Sequence, residues 1–361
     1  MPLSLRRLDW PLFGLALALT TIGILTLGGI GSSAQSFFNR QIVFLLIGLG
    51  VMLLIANLDY RLFRNYSSVV LGIYFVAVIL LLVVLQFNEI RAVRSWIFIA
   101  GFQFEPSELA KLGVIIVLAK YFSQKHIEAH QIRHIIVSFL YIILPAGLIL
   151  LQPDLGSAAI FFIIWLAIIM AIGVPRRHLV AILILGAIVV TIGWVGFLQD
   201  YQKSRIISFL DPLTDPQGAG YSTIQSRIAI GAGGFWGAGW GRGTQSTGGF
   251  LPEAHTDFIF AAFAEQFGLI GILALMALLF LLIFRVAQIT QRANNNFAKL
   301  FGLGFIVLIA AHALLSMGIN IGLLPVTGIP FSFLSYGGSH LVILMTGLGL
   351  VQSIKIHSSY A

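Results

Sequence analysis

Ten stretches of about twenty mostly apolar residues follow one another along this chain. They lie near 11–30, 41–58, 67–87, 106–123, 135–152, 155–174, 178–198, 257–284, 298–318 and 337–354. A peptide group in hydrocarbon has no water to bond, so each stretch must satisfy its backbone within itself, as a helix does. A transmembrane barrel would show shorter alternating runs, and none occur. The expected fold is therefore an all-α integral membrane protein with about ten spans, read as one polytopic domain over 1–361. The composition agrees, with 58% hydrophobic and 9% charged residues. Ser32-Ser33-Ala34 after the first stretch imitates a cleavage site. The apolar core before it is too long for a signal peptide, so it reads as an anchor.

Charge placement orients the spans. Lys and Arg near span ends gather on the cytoplasmic side. Arg6 and Arg7 put the N-terminus inside, and alternation then places Arg61, Arg64, Lys120, Arg133, Arg176, Arg177, Arg285, Arg292, Lys299 and Lys355 inside too. An even number of spans returns the C-terminus to the same side. The net charge of +8 is mostly this bias, and no basic face interleaved with aromatics suggests nucleic acid. The acids fall the other way: Glu89, Glu105, Glu108, Asp154, Asp200, Asp211, Asp215, Glu253 and Asp257 all belong to the outer side. Cysteine is absent, which removes disulfides and thiolate chemistry.

One outer loop, 199–256, exceeds the others. Loops longer than about fifteen residues are usually functional or disordered, and this one holds too many large apolar side chains for disorder. Short helices on the membrane surface and a Gly-rich turn that brings backbone close to a ligand are expected there. Its glycines lack the spacing of a nucleotide-binding motif, and simple tight turns are the plain alternative.

Three constellations and some smaller signals set a functional reading against a plain structural one. Asp257 follows Glu253 and His255 at the entry to the eighth span, and either caps that helix or heads the stripe Ala261, Ala264 and Gly268 as a half-sheltered base. Glu265, deeper in the same span, must have a partner or carry a proton. In GFQFEPSELAKL, Pro106 fits the first helical position, and Glu108 and Lys111 share a face. They form either a dipole-compensating pair or a charged pair at the mouth of an outer cavity, with Lys111 suited to an anionic headgroup. His126, His130 and His134 recur every four residues, yet their order fits a solvated connection better than a metal site. Asp154 sits in an outer turn between two spans, and Pro325 and Pro330 precede SYGGS in a segment that reads as an ordered outer loop. Ser335, Tyr336 and Ser339 are placed to line the same cavity.

The runs QPDLGSA, RIISFLDPLTDPQGAGYSTIQSRIAIGAGGFWGAGWGRGTQS, FLPEAHTDFIFAAFAE and GIPFSFLSYGGS resemble the SEDS family (shape, elongation, division and sporulation), and the GTQS and FLPE wording is most similar to its elongation branch. The resemblance covers essentially the whole chain. It implies a peptidoglycan glycosyltransferase of the bacterial plasma membrane that polymerises lipid II into glycan strands, beside a class B penicillin-binding protein and other membrane proteins of an elongation complex. It also implies that Asp257, in the HTDF motif, is the catalytic residue, and that Glu108 and Lys111 match the family's pair at the start of span four. Two positions depart from the pattern: Glu105 replaces a usual Gln, and Gln266 a usual Glu.

On this reading Asp257 accepts the proton of the acceptor hydroxyl, which attacks the donor's anomeric carbon with inversion. Lys111, Arg205, Lys203 and Arg227 stand as candidates for the pyrophosphate, with a divalent cation, Mg²⁺ or Mn²⁺, left open. Three alternatives remain. A lipid II flippase would use the same charged cavity, but the acids gather on one side only and no paired broken helices are evident. A noncatalytic scaffold for a penicillin-binding protein and a division or sporulation member of the same family are the others.

Overall fold

A computed structural model describes residues 7–31, 34–87, 95–99, 102–125, 131–196, 207–211, 216–218 and 220–358. Lys203, Arg205, His126 and His130 lie outside them. The helices are α1 (Trp10–Gly29), α2 (Gln35–Asn57), α3 (Arg61–Asn65), α4 (Ser67–Val84), α5 (Pro106–Gln124), α6 (Ile132–Leu151), α7 (Leu155–Ile172), α8 (Arg176–Gly196), α9 (Tyr221–Gly233), α10 (Thr244–Thr247), α11 (Ile259–Gln291), α12 (Asn296–Asn320) and α13 (Gly338–Ser358). Each expected apolar stretch overlaps one of them. Among the described residues eight are long and apolar enough to cross a membrane by length and composition, and the chain is an all-α, multi-pass membrane protein. A short antiparallel hairpin, β1 (Ile97–Ile99) and β2 (Phe102–Phe104), leads into α5; a three-residue strand is too brief to leave an alternating pattern.

Helix α5 explains how charge is tolerated in this bundle. It carries Glu108, Lys111 and Lys120, yet nearly every residue along it is buried against protein, where ionisable groups can find partners that lipid lacks. The outer helices do the opposite. Leu46 and Leu54 on α2, Phe75 on α4 and Leu183 on α8 expose large apolar side chains, the surface that contacts acyl chains at no hydrophobic cost. The last helix, α13, packs along α2 through small residues: Gly48 faces Met345, Gly349 faces the backbone of Met52, and Gly338 faces the ring of Phe44. Close backbone approach of this kind drives helix association where lipid offers no hydrophobic gain.

The expected eighth span is broken. Within α11, Gly268 has φ +63 and ψ −165, which interrupts the helix. The Gly-rich loop repairs the break: Ala238 and Gly239 donate their N–H groups to the carbonyls of Glu265 and Gln266, and Leu269 and Ile270 donate to Gly234 and Phe235. Gly237 (φ +83) touches the backbone of Gln266, where any side chain would collide. The loop glycines therefore bring backbone close to α11, where the sequence pointed to a ligand. Glu265 finds its expected partner in the same loop. Its fully buried carboxylate accepts from the N–H groups of Gln245 at 2.7 Å and Ser246 at 2.9 Å, tying α10 to α11.

The segment after α12 is ordered without being helical, as its prolines suggest, and buries Ile329, Phe331, Phe333 and Leu334 in the bundle. Irregular backbone at such depth is tolerated where protein surrounds it.

Candidate active site

The loop before α11, the turn between α6 and α7, the segment after α12 and the first turn of α13 enclose a cavity of about 360 Å³. Its lining includes the carboxylates of Asp257, Asp154, Glu105 and Glu253, the imidazoles of His255 and His340 and the phenol of Tyr336. Among the described residues no Lys or Arg lines it. Of the acids assigned to the outer side, Glu105, Asp154, Glu253 and Asp257 line this cavity, Glu108 and Asp211 do not, and Glu89, Asp200 and Asp215 lie outside the described residues.

Asp257 does not cap α11. The helix begins at Ile259 with Phe258 in the cap position and no side-chain cap. The backbone around Asp257 is held from elsewhere. Asn320, at the end of α12, donates from Nδ2 to the Asp257 carbonyl at 2.8 Å and accepts at Oδ1 from the Ala261 N–H at 3.0 Å. Ser335 Oγ donates to the Thr256 carbonyl at 2.7 Å, and the Tyr336 N–H donates to the His255 carbonyl at 2.9 Å. Gly328 (φ +75) lies beside the Asp257 carboxylate on the cavity wall. Asn320 was invisible to sequence reasoning, because a lone Asn at a helix end reads as a terminator.

Asp154 keeps its place in the turn and also reaches the cavity. Its Oδ1 accepts from the Ser157 N–H at 2.9 Å as the cap of α7, and the residue lines the cavity. Tyr336 lines it as expected and forms an aromatic wall with Phe37 and His255. The Phe37 and His255 rings stack with centroids 3.9 Å apart, and Tyr336 lies 4.8 Å from Phe37. Such faces suit the C–H surfaces of a sugar ring.

Four expected site residues stand differently. Ser335 is buried at 2% exposure with its hydroxyl committed to Thr256 and Phe331, so it positions the Asp257 loop without facing the cavity. Arg227 donates to the Gly322 carbonyl at 2.9 Å, at the end of α12, and is absent from the cavity wall. Glu108 and Lys111 are each 1% exposed and lie behind the wall, not at its mouth. Their salt bridge measures 2.7 Å. Lys111 Nζ also lies 3.3 Å from His312 Nε2, and Glu108 Oε2 lies 2.9 Å from His340 Nδ1. The ligand atoms of Glu108, His312 and His340 come within 4.8 Å of one another, an arrangement a metal could use. Lys111 already supplies a cation between Glu108 and His312. The remaining histidine of the expected periodic run, His134, is buried against the Tyr121 hydroxyl at 2.7 Å.

Glu105, on the cavity wall just before α5, is pushed up to about 8 by burial and then by the neighbouring Glu108 carboxylate, against the pull of Lys111. Ser107 donates to it at 2.5 Å.

Comparison with known proteins agrees with this architecture. The chain is 35% identical over 352 residues to the peptidoglycan glycosyltransferase MrdB of Escherichia coli K12, covering 97% of this chain and 94% of that protein. It is also 35% identical to the stage V sporulation protein E of Bacillus subtilis, covering 96% and 98%. A solved chain from a peptidoglycan synthase complex superposes with TM-score 0.83 at 31% identity, covering 96% of this chain and 97% of that one. Thermus thermophilus rod shape determining protein RodA superposes with TM-score 0.72 at 27% identity, covering 97% of each. The FTSW_RODA_SPOVE model, described as cell cycle protein, matches residues 6–360, and the chain belongs to that family.

Proposed function

We propose that this chain is a peptidoglycan glycosyltransferase that polymerises lipid II at the outer face of the bacterial plasma membrane for cell elongation, with Asp257 as general base. The observation that carries the reading is an Asp257 whose carbonyl is held by Asn320 and whose neighbour Thr256 is held by Ser335, placed in an acid-lined cavity with an aromatic wall. In the reaction a sugar hydroxyl gives its proton to the Asp257 carboxylate as its oxygen bonds to the donor's anomeric carbon. The bond from that carbon to the diphosphate breaks with inversion, and the lipid diphosphate leaves with the electron pair.

The described wall offers this leaving group no cationic side chain. Lys203 and Arg205, outside the described residues, are the candidates that the sequence supplies. The carboxylates of Asp154 and Glu253 are hard oxygen donors that fit a divalent cation such as Mg²⁺ or Mn²⁺. Such a cation would neutralise charge on the diphosphate. The partner in this reading is a class B penicillin-binding protein, supported by the superposition on a chain from a peptidoglycan synthase complex.

The test is polymerisation of purified lipid II, with and without the partner and with and without metal. A positioned base supplies roughly 10²- to 10⁴-fold, so Asp257→Asn should lose about that factor while eluting as folded protein. Near-normal turnover by this variant would remove Asp257 from the mechanism.

A further inference from the structure

The Gly-rich turn between α9 and α10 carries three aromatic side chains that the cavity does not use. Trp236 is 78% exposed, and Phe235 and Trp240 are each more than half exposed. Large apolar groups displayed together mark a surface that meets something other than water. The height of the turn in the bundle decides what that is.

Two helices measure the height from one ion pair. Asp9, at the start of α1, pairs with Arg285 on α11, and the partly exposed guanidinium marks the level at which charge reaches headgroups or water. Along α11, the break at Gly268 lies about 26 Å from Arg285, and just past it Leu269 and Ile270 donate to the Gly234 and Phe235 carbonyls. Along α1, Leu25 lies about 24 Å from Asp9, and its carbonyl accepts from Trp240 Nε1 at 2.7 Å. The hydrocarbon of a bilayer is about 30 Å thick. Both helices therefore hold the turn where acyl chains meet headgroups, at the end of the bundle that carries Asp257, and any tilt sets it deeper.

The surroundings agree with that level. Leu25, Leu269, Ile270 and Leu273, on the two spans to which the turn is bonded, are exposed, so the aromatic patch continues a surface that faces acyl chains. Trp10, beside Asp9 at the other end of α1, is exposed too. Indoles thus stand near both boundaries, where their apolar ring and polar N–H suit the interface. From Tyr221 to Pro252 the chain has no Asp, Glu or Lys, and Arg242, just after the turn, is exposed. A surface of this charge is compatible with lipid phosphates. The Trp240 N–H is already bonded within the protein, so its ring can leave water without stranding a donor.

We infer that Phe235, Trp236 and Trp240 form an interfacial anchor seated in the lipid of the leaflet on the Asp257 side. The inference does not depend on the glycosyltransferase reading, only on the chain spanning a membrane.

The chain has no cysteine, so a single introduced one can carry a nitrobenzoxadiazole fluorophore without background. Phe235→Cys and Trp236→Cys are compared with Leu273→Cys, exposed on a span, and with Lys125→Cys, exposed just past α5. Each labelled full chain is placed in nanodiscs of phosphatidylethanolamine and phosphatidylglycerol. The quenchers are lipids with a nitroxide near the top or near the end of an acyl chain, and iodide in the water. Labels at 235 and 236 should be quenched more by the shallow nitroxide than by the deep one, and should lose most of the iodide quenching seen at Lys125→Cys. Iodide quenching equal to that of Lys125→Cys puts the turn in water and overturns the inference. Quenching by neither lipid nor iodide, with Leu273→Cys still quenched by lipid, means that a second copy of the chain covers the patch, and overturns it as well.

Discussion

Two buried charge clusters occupy opposite ends of α13, and they are built differently. Near its C-terminal end, Asp9 is fully buried and every contact is closed. Its carboxylate accepts from Arg285 at 2.9 and 2.7 Å, from Lys355 at 2.7 Å and from the Leu12 N–H at 3.0 Å. Its backbone N–H and carbonyl both pair with the Gln352 side chain. Near the N-terminal end, Glu108 is equally buried and holds Lys111 and His340, but the network stops at a buried His340 nitrogen that has no partner. The first cluster clasps α1, α11 and α13 together and can be explained entirely by structure. The second is one hydrogen bond short of closure, and its last member, His340, belongs to the wall that carries Asp257.

The contrast can be broken most forcefully at Lys111. Lys111→Ala leaves the Glu108 carboxylate buried without its cation, and breaking such a pair costs about 3 to 5 kcal/mol. Thermal melting followed by size exclusion in detergent should show the largest loss of any single change considered, with polymerisation lost as well. A mild effect would mean that the cavity cluster is wetter than its burial indicates.

Asp9→Asn should cost less, about 1 to 3 kcal/mol, because Arg285 and Lys355 are 29% and 36% exposed and can turn to water. Activity per folded molecule should stay near that of the parent, as expected for a clasp. Burial alone would raise the Asp9 carboxyl, but hydrogen bonds from Arg285 and Lys355 hold it at about 2. A carboxyl lowered in the folded state stabilises above its unfolded value of 3.8, and loses that contribution as pH falls toward 2. Melting of the parent should drop across that window more steeply than melting of Asp9→Asn.

Glu105 gives the smallest and most specific effect. Its carboxyl is raised to about 8 by burial and Glu108, so its favourable contribution is complete below 4.5 and declines as pH rises through 8. Glu105→Gln should match the parent in polymerisation at pH 7 and melt with a flatter pH dependence up to 9. Identical slopes in the two proteins would show that Glu105 is ionised throughout.

Much of the fold was legible because hydropathy is local. Each expected apolar stretch overlaps a helix, since a segment in lipid must close its own backbone bonds wherever its neighbours lie. The break at Gly268 was not legible. A glycine inside an apolar run looks like helix–helix packing until the loop at 234–239 is seen to bond the freed peptide groups.

For the site, the sequence set Asp257 and Asp154 on the outer side and Tyr336 and Ser339 on an outer cavity, and all four line one cavity, because outer-side acids and the SYGGS segment stand out in an apolar chain. It put Lys111, Arg227 and Ser335 there too. Their charge or polarity was visible, but not the partners that engage them.

Composition and span order by themselves determined the membrane class, the helical architecture and the end of the bundle at which carboxylates gather, all properties of short windows of sequence. Tertiary structure alone decided which polar groups close on one another and which stay open. Glu108 and His340 are 232 positions apart, and Asn320 reaches the Asp257 carbonyl across 63. Pairings over such separations leave no periodic trace, because they depend on where whole helices meet.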